Sequence, residues 1–208
     1  PPSEQLRTYI AHETQAIGIR NFQLALVPGL LQTEDYARAV ISRSVNVPSK
    51  QVEVRVHTRM LRQEIFNRYP RPDFTYFLHE SALRLPVGGS EVMSEQLHHL
   101  LRMAIRPNLE LRIVPCSAGA HAGTAGPFTL MEFPRFTPVI YLEGEMSSVF
   151  LEQTTEVAAY RRILASLADT ALGPEESKQL LVTQARELYS DREDQHDLAE
   201  EQLQRGRR

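Results

Sequence analysis

Helical and strand-like spacings of apolar residues take turns along this chain. Residues 3–19, SEQLRTYIAHETQAIGI, place Leu6, Ile10 and Ile17 roughly on one face and predict a helix with Ser3 as its N-cap. Residues 22–27, FQLALV, predict a short extended segment. It breaks at Val27-Pro28-Gly29, resumes as Leu30-Leu31, and passes through Gln32-Thr33 into a second helix. Thr33 is placed to cap that helix, and Glu34 and Asp35 occupy its first turn, where the helix dipole favours acids. Tyr36, Ala37, Val40 and Ile41 give it an apolar face.

A long helix is predicted over residues 48–69, with Val52, Val56, Met60 and Ile65 as its stripe. Phe74 to Leu78 reads as a strand that turns polar at His79-Glu80 and enters a short helical turn. Residues 90–105 read as a helix with Val92, Met93, Leu97, Leu100 and Leu101 inward. Leu109, Leu111 and Ile113 then alternate as a strand does. After a Gly/Ala loop, residues 127–133 and 137–145 supply two more strands. Their close spacing predicts antiparallel pairing. Residues 149–172 predict a long helix, stopped by Gly173-Pro174, and residues 174–189 the last clear one. The pattern is α+β: a small, mostly antiparallel sheet flanked by helices. Residues 1–189 form the expected domain, and the charged tail, 190–208, is expected as a frayed helix or disordered end.

Composition narrows the function classes. With 208 residues and 42% apolar content, the chain can build a real core. A net charge of -3 with basic and acidic residues interleaved argues against strong nucleic-acid binding by this chain alone. No apolar run approaches the length of a membrane span. The single cysteine, Cys116, cannot form an internal disulfide, which suits a reducing cytoplasm. It is expected as a small buried or semi-buried thiol.

The catalytic motifs are mostly missing. His98-His99 are adjacent and do not face one way on a helix; His57, His79 and His121 are scattered, so no metal is expected. GAHAGTAGP lacks the phosphate-loop pattern and leads into a strand; it reads as a flexible loop. In YLEGE, Glu143 and Glu145 share one strand face, as general-base carboxylates would. That spacing resembles the E-x-E signature of arginine-type ADP-ribosyltransferases. Arg112 is the matching arginine, while Thr124 and Thr129 do not reproduce the Ser-Thr-Ser element. Arg55, Arg59 and Arg62 share a helix face able to grip a carboxylate or phosphate, with Glu53 and Glu64 close by to neutralise it.

Several stretches carry a resemblance when taken in order. They are VPGLLQTEDYARAVI (27–41), RMLRQEIF (59–66), LHESALRLPVGG (78–89), MSEQLHHLL (93–101), LRIVPCSAGAHAGTAGPFTLMEF (111–133) and VIYLEGE (139–145). Together they resemble the C-terminal domain that follows an Xre-type helix-turn-helix in actinomycete regulators, the WhiJ-like, antitoxin-like group. The resemblance spans residues 3 to about 188. It implies an upstream DNA-binding domain, which residues 1–20 do not contain, and Pro1-Pro2 reads as a cut within a linker. It also implies a small BldB-like protein as a partner.

The expected function is therefore non-enzymatic. The chain would bind a small-molecule effector or a small protein, form a homodimer, and relay that state to the upstream domain; DNA would be met only through that domain. An ADP-ribosyltransferase-like domain, active or degenerate, is the alternative. Arg38, Arg59, Arg62 and Arg84 are the candidate partners of an acidic ligand or protein, joined by Gln32, Gln63 and His121. Tyr36 and Phe128 are candidate apolar contacts. Glu80 and Glu143 belong to the site or act as internal counter-ions for the arginines. No cofactor is expected. The PGLLQT corner reads either as a recognition corner, with helix N–H groups beside Gln32, Tyr36 and Arg38, or as a device that fixes the fold.

Overall fold

A computed structural model describes residues 4–144 and 147–188. The expected cap Ser3, the carboxylate of Glu145, Tyr189 and the charged tail lie outside the described residues. In chain order the elements begin with α1 (Glu4–Gln15), β1 (Gly18–Gln23), α2 (Glu34–Arg43) and α3 (Ser49–Arg62). They continue with β2 (Asp73–His79), α4 (Ser81–Arg84), α5 (Ser90–Met103) and β3 (Leu109–Val114). Then come β4 (Phe128–Glu132), β5 (Val139–Glu143), β6 (Ser148–Leu151) and α6 (Thr154–Thr170). Residues 174–188 form α7.

The chain is α+β, as its patterning predicts, but the sheet is mixed. Six strands run in the order β3-β2-β1-β4-β5-β6. β1 pairs parallel with β2, and β2 parallel with β3. The pairings of β1 with β4, β4 with β5 and β5 with β6 are antiparallel. Parallel neighbours need a crossover, and the helices between the strands supply it. α2 and α3 carry the chain from β1 to β2, and α4 and α5 from β2 to β3.

Two strands differ from the expected bounds. β1 starts at Gly18, and residues 24–26 bend away from the sheet instead of extending it. The sheet captures the chain early: Ile17 N–H donates to the Glu132 carbonyl at 2.8 Å, and Asp73 N–H to the Ile17 carbonyl at 2.9 Å. Val149 to Leu151 is strand rather than helix. The helix that follows starts at Thr154, where Gln153 N–H donates to the Glu156 carboxylate at 3.2 Å. The long third helix likewise ends at Arg62 and tightens into a 3-10 turn over Gln63–Asn67.

Strand alternation divides the core in two. Ile19, Phe74, Tyr76, Leu111, Ile113 and Tyr141 face one side, beneath α2, α5 and α7. Phe22, Phe77, Leu130 and Ile140 face the other, where α6 delivers Val157 and Leu167. Burial on this scale is the main term holding such a layered fold together. Arg112 of β3 stacks over Phe77, 5.7 Å from its centroid, and donates to the Ala168, Ala171 and Leu172 carbonyls. It thereby satisfies carbonyls that the end of α6 leaves open. Beside it, Leu172 N–H donates to the Ile113 carbonyl at 2.9 Å, and Ser177 Oγ accepts from Ile113 N–H at 2.9 Å.

Candidate functional site

The Pro-Gly break folds the chain back on itself. After Pro28 a single 3-10 turn, Gly29–Leu31, leads to Gln32, which is buried. Gln32 is bonded on three sides. Its Nε2 donates to the Val27 carbonyl at 2.7 Å, and its Oε1 accepts from Arg59 Nη1 at 2.5 Å. Its carbonyl accepts from Gln63 Nε2 at 2.7 Å. Thr33 Oγ1 caps α2 by accepting from Tyr36 N–H at 3.3 Å. Tyr36 is wholly buried, and its hydroxyl accepts from Val27 N–H at 3.2 Å.

Gln96 of α5, 0% exposed, closes the corner from below. It donates to the Leu31 carbonyl at 2.7 Å and accepts from Thr33 N–H at 2.8 Å. Gln32 and Tyr36 are thus inward-facing struts. The corner fixes the fold, and what it presents outward is the side chain it orients, Arg59.

Arg59 and Arg62 lie one turn apart on α3 in different surroundings. Arg62 Nε and Nη2 each donate to a carboxylate oxygen of Glu13 at 2.8 Å. Both side chains are nearly buried, at 12% and 3% exposure. Burial would pull the Arg62 guanidinium down, but Glu13 holds it above its ordinary value. Arg62 also sits over the Tyr9 ring, 5.1 Å from its centroid. Tyr9 in turn packs on Tyr141 at 4.4 Å. Burial, then the Glu13 carboxylate, raise the Tyr9 hydroxyl well above its usual range.

Arg59 has no such counter-ion. Among the described residues it makes no ion pair within 4.0 Å, and its one hydrogen bond goes to the neutral amide of Gln32. Burial and the neighbouring Arg62 pull its guanidinium down to about 10, while Glu143, farther off, raises it. Glu143 stands at the end of β5 on the same side as Tyr141. Tyr76, below the Arg62 pair, is 1% exposed and its hydroxyl has no partner. Burial, then Glu13, push that hydroxyl up.

Arg59, Arg62, Gln63, Gln32 and Glu143 therefore gather at the junction of α1, α3 and β5. The other expected site residues lie elsewhere. Arg38 spends its donors on Glu53, Asp35 and Glu34 at the surface. Phe128 belongs to the second core, against Phe22 and Tyr160, so it contacts no surface ligand. Glu80 pairs with Arg84 at 2.7 Å and accepts from Cys116 N–H at 2.8 Å. Its burial would raise the carboxyl, but these two donors hold it below the ordinary range. Cys116 is exposed rather than the buried or semi-buried thiol expected, because it sits in a 3-10 turn beyond the end of β3. His121 stacks on His79 at 5.5 Å and meets Phe22 edge-on at 5.6 Å. Burial, then His79, lower its pKa.

Glu13, Gln96, Tyr9 and Tyr76 complete the arrangement and were not singled out from sequence. The signal for Glu13 was a lone acid on the inner side of an amphipathic helix. Gln96 offered none, since it stands at a polar-tolerant position between Met93 and Leu97.

Two other surfaces stand apart from this junction. A shallow cavity of about 340 Å3 lies between α6 and the sheet, flanked by Arg20, Glu132 and Arg161. Another of about 360 Å3 lies at the amino ends of β1 and β2, beside Tyr69, 91% exposed, and Phe136, 68% exposed. Among the described residues no three His, Cys, Asp or Glu side chains are placed to hold a metal ion. Arg112 and Glu143 are on opposite faces of the sheet and four strand steps apart, about 19 Å. The structure does not bring them together as a transferase pair.

A family model described as domain of unknown function (DUF5753) matches residues 6–183. No curated protein and no solved structure matches the chain.

Proposed function

The chain belongs to the DUF5753 family, and on that footing we propose that it is a non-enzymatic binding module of an Xre-type, WhiJ-like transcriptional regulator. It takes a small-molecule effector or a small BldB-like protein, works as a homodimer in the cytoplasm, and passes its bound state to a helix-turn-helix domain joined upstream. Among the described residues no helix is long and apolar enough to cross a membrane.

One observation carries the reading. The charge cluster beside Arg59 is built directly on α1, the element through which an upstream domain would be connected. Glu13 and Tyr9 of α1 grip Arg62, and Arg62 stands one turn from Arg59. A ligand that changes the electrostatics around Arg59 acts on the same network that seats α1, which is the differential contact a relay requires. The exposed Tyr69 and Phe136 supply the kind of aromatic surface that a protein partner or a second copy buries.

Native mass spectrometry of the chain after incubation in lysate of its host tests the reading. Retention of a small molecule, or a stoichiometric dimer, supports a binding module. A bare monomer under conditions that preserve other complexes counts against it.

A further inference from the structure

We infer that Arg59 receives the carboxylate of a small organic acid on the Nε–Nη2 edge of its guanidinium. This rests on the reading of the chain as a binding module and assigns the chemistry of its ligand.

The neighbouring arginine shows what that edge does in this protein. Arg62 uses Nε and Nη2 to hold both oxygens of Glu13 at 2.8 Å. Two parallel N–H donors match the two oxygens of a carboxylate, the strongest pairing a guanidinium makes. In Arg59 the opposite corner is the one engaged: Nη1 is held by Gln32 Oε1 at 2.5 Å. That contact fixes the plane of the guanidinium and leaves Nε and Nη2 without a protein acceptor among the described residues. Neither atom is among the sealed, unpartnered ones of the described residues, and Arg59 as a whole keeps part of its surface exposed.

The holder is rigid. Gln32 is itself bonded to Val27 and Gln63, and Arg59 projects from the last turn of α3. A half-buried cation in fixed orientation, with only a neutral amide as partner, is costly to maintain unless an anion completes it. The groups around it also set the ligand's charge. Arg62 is already neutralised by Glu13, while Glu143 is within electrostatic reach but makes no ion pair with Arg59. Arg59 therefore faces the edge with its own positive charge, a weaker contribution from Arg55, and the opposing Glu143 carboxylate. That suits a monoanionic carboxylate better than a dianionic phosphate.

Thermal unfolding at constant ionic strength tests this with acetate, propionate and benzoate as probes, beside inorganic phosphate. A carboxylate should raise the wild-type midpoint and leave Arg59→Gln unmoved. Arg59→Lys, which keeps the charge and loses the edge, should bind at least tenfold more weakly by calorimetry. Glu143→Gln should bind severalfold more tightly, and Arg161→Gln, on the far face, like wild type. The ligand-free Arg59→Gln chain loses its bond to the buried Gln32 Oε1 as well as a half-buried charge, so each shift is read against that chain's own ligand-free midpoint. The inference is overturned by equal shifts in wild type and Arg59→Gln, or by a response to phosphate alone. A neutral lysate ligand with no carboxylate response would overturn it while leaving the binding-module reading in place.

Discussion

Arg62 holds Glu13 edge-on, Nε and Nη2 each 2.8 Å from a carboxylate oxygen. The pair joins α1 to α3 across a nearly dry contact. Removing one partner strands the other charge. Glu13→Gln or Arg62→Gln should therefore cost about 3–5 kcal/mol. Replacing both by apolar residues of similar volume should recover most of that loss. Urea unfolding of the two single variants and the double variant checks this. A loss below ~1 kcal/mol in the singles would mean the pair is solvated rather than buried.

Gln96 should prove as important as any apolar residue of α5. Its amide joins the Leu31 carbonyl to the Thr33 amide, so Gln96→Leu leaves both backbone groups without a partner. A cost of about 2–4 kcal/mol is expected. Amide exchange should quicken at Thr33, and exchange at Ala16 and in β2 should change only with global stability. Unchanged protection at Thr33 would show that the corner is held by its neighbours instead.

Gly123 has no room for a side chain. A Cβ there would sit 2.4 Å from Phe22 Cε1. The loop after β3 lies directly on the second core, and His121 covers the same ring. Gly123→Ala should lift the loop and cost about 1–3 kcal/mol, with the loss read as a lower unfolding midpoint. The readout specific to the loop is His121, whose ring resonances should move away from their Phe22-shifted positions.

His99 should make stability pH-dependent. Its Nε2 is buried without a partner, and burial, then Arg102, lower its pKa from 6.5 while Glu95 opposes them and Arg106 adds a little. The folded chain thus keeps the ring neutral where the unfolded chain protonates it. Stability is full above 6.5 and falls as pH drops through the lower folded pKa. His121, lowered in the same sense by burial and His79, adds to the slope. In His99→Leu the decline below 6.5 should be shallower than in wild type, as measured by chemical unfolding at a series of pH values. An unchanged slope would assign the effect to His121 and the carboxylates.

Much of this fold was legible in local pattern. The cap at Thr33, the alternation of Leu109, Leu111 and Ile113, and the stop at Gly173-Pro174 are short-range signals, and each marks a real boundary. Two strands misled for the same reason. Leu24 to Val27 is more apolar than β1, yet β1 carries Arg20 and Asn21, whose side-chain N–H groups are met by Asp73, Phe128 and Thr129 across the sheet. Val149 to Leu151 continues the apolar period of α6, and only its pairing with β5 makes it a strand. The parallel pairs were readable in principle: a strand, helices, a strand, helices and a strand in succession announce crossovers.

The site was legible in its residue types and not in its partnerships. Arg59 and Arg62 both lie between Glu53 and Glu64 in sequence, and those acids looked like their neutralisers. In space Glu53 turns to Arg38, while Arg62 finds Glu13, forty-nine positions away, and Arg59 finds Gln32. Which arginine is left without a carboxylate depends on tertiary contacts that no spacing rule encodes.

The link between β3 and the start of α7 has a consequence for association. β3 is an outermost strand, and outermost strands tend to recruit other chains through their unpaired backbone groups. Here Leu172 and Ser177 occupy the outward N–H and C=O of Ile113, and Arg112 ties the same stretch down through the Leu172 carbonyl. The opposite rim, β6, is only four residues long. A mutation that detached residues 171–177 would lay bare the border of β3, Leu109 to Val114. Fibrillar aggregation, rather than simple unfolding, is the failure mode to expect from it.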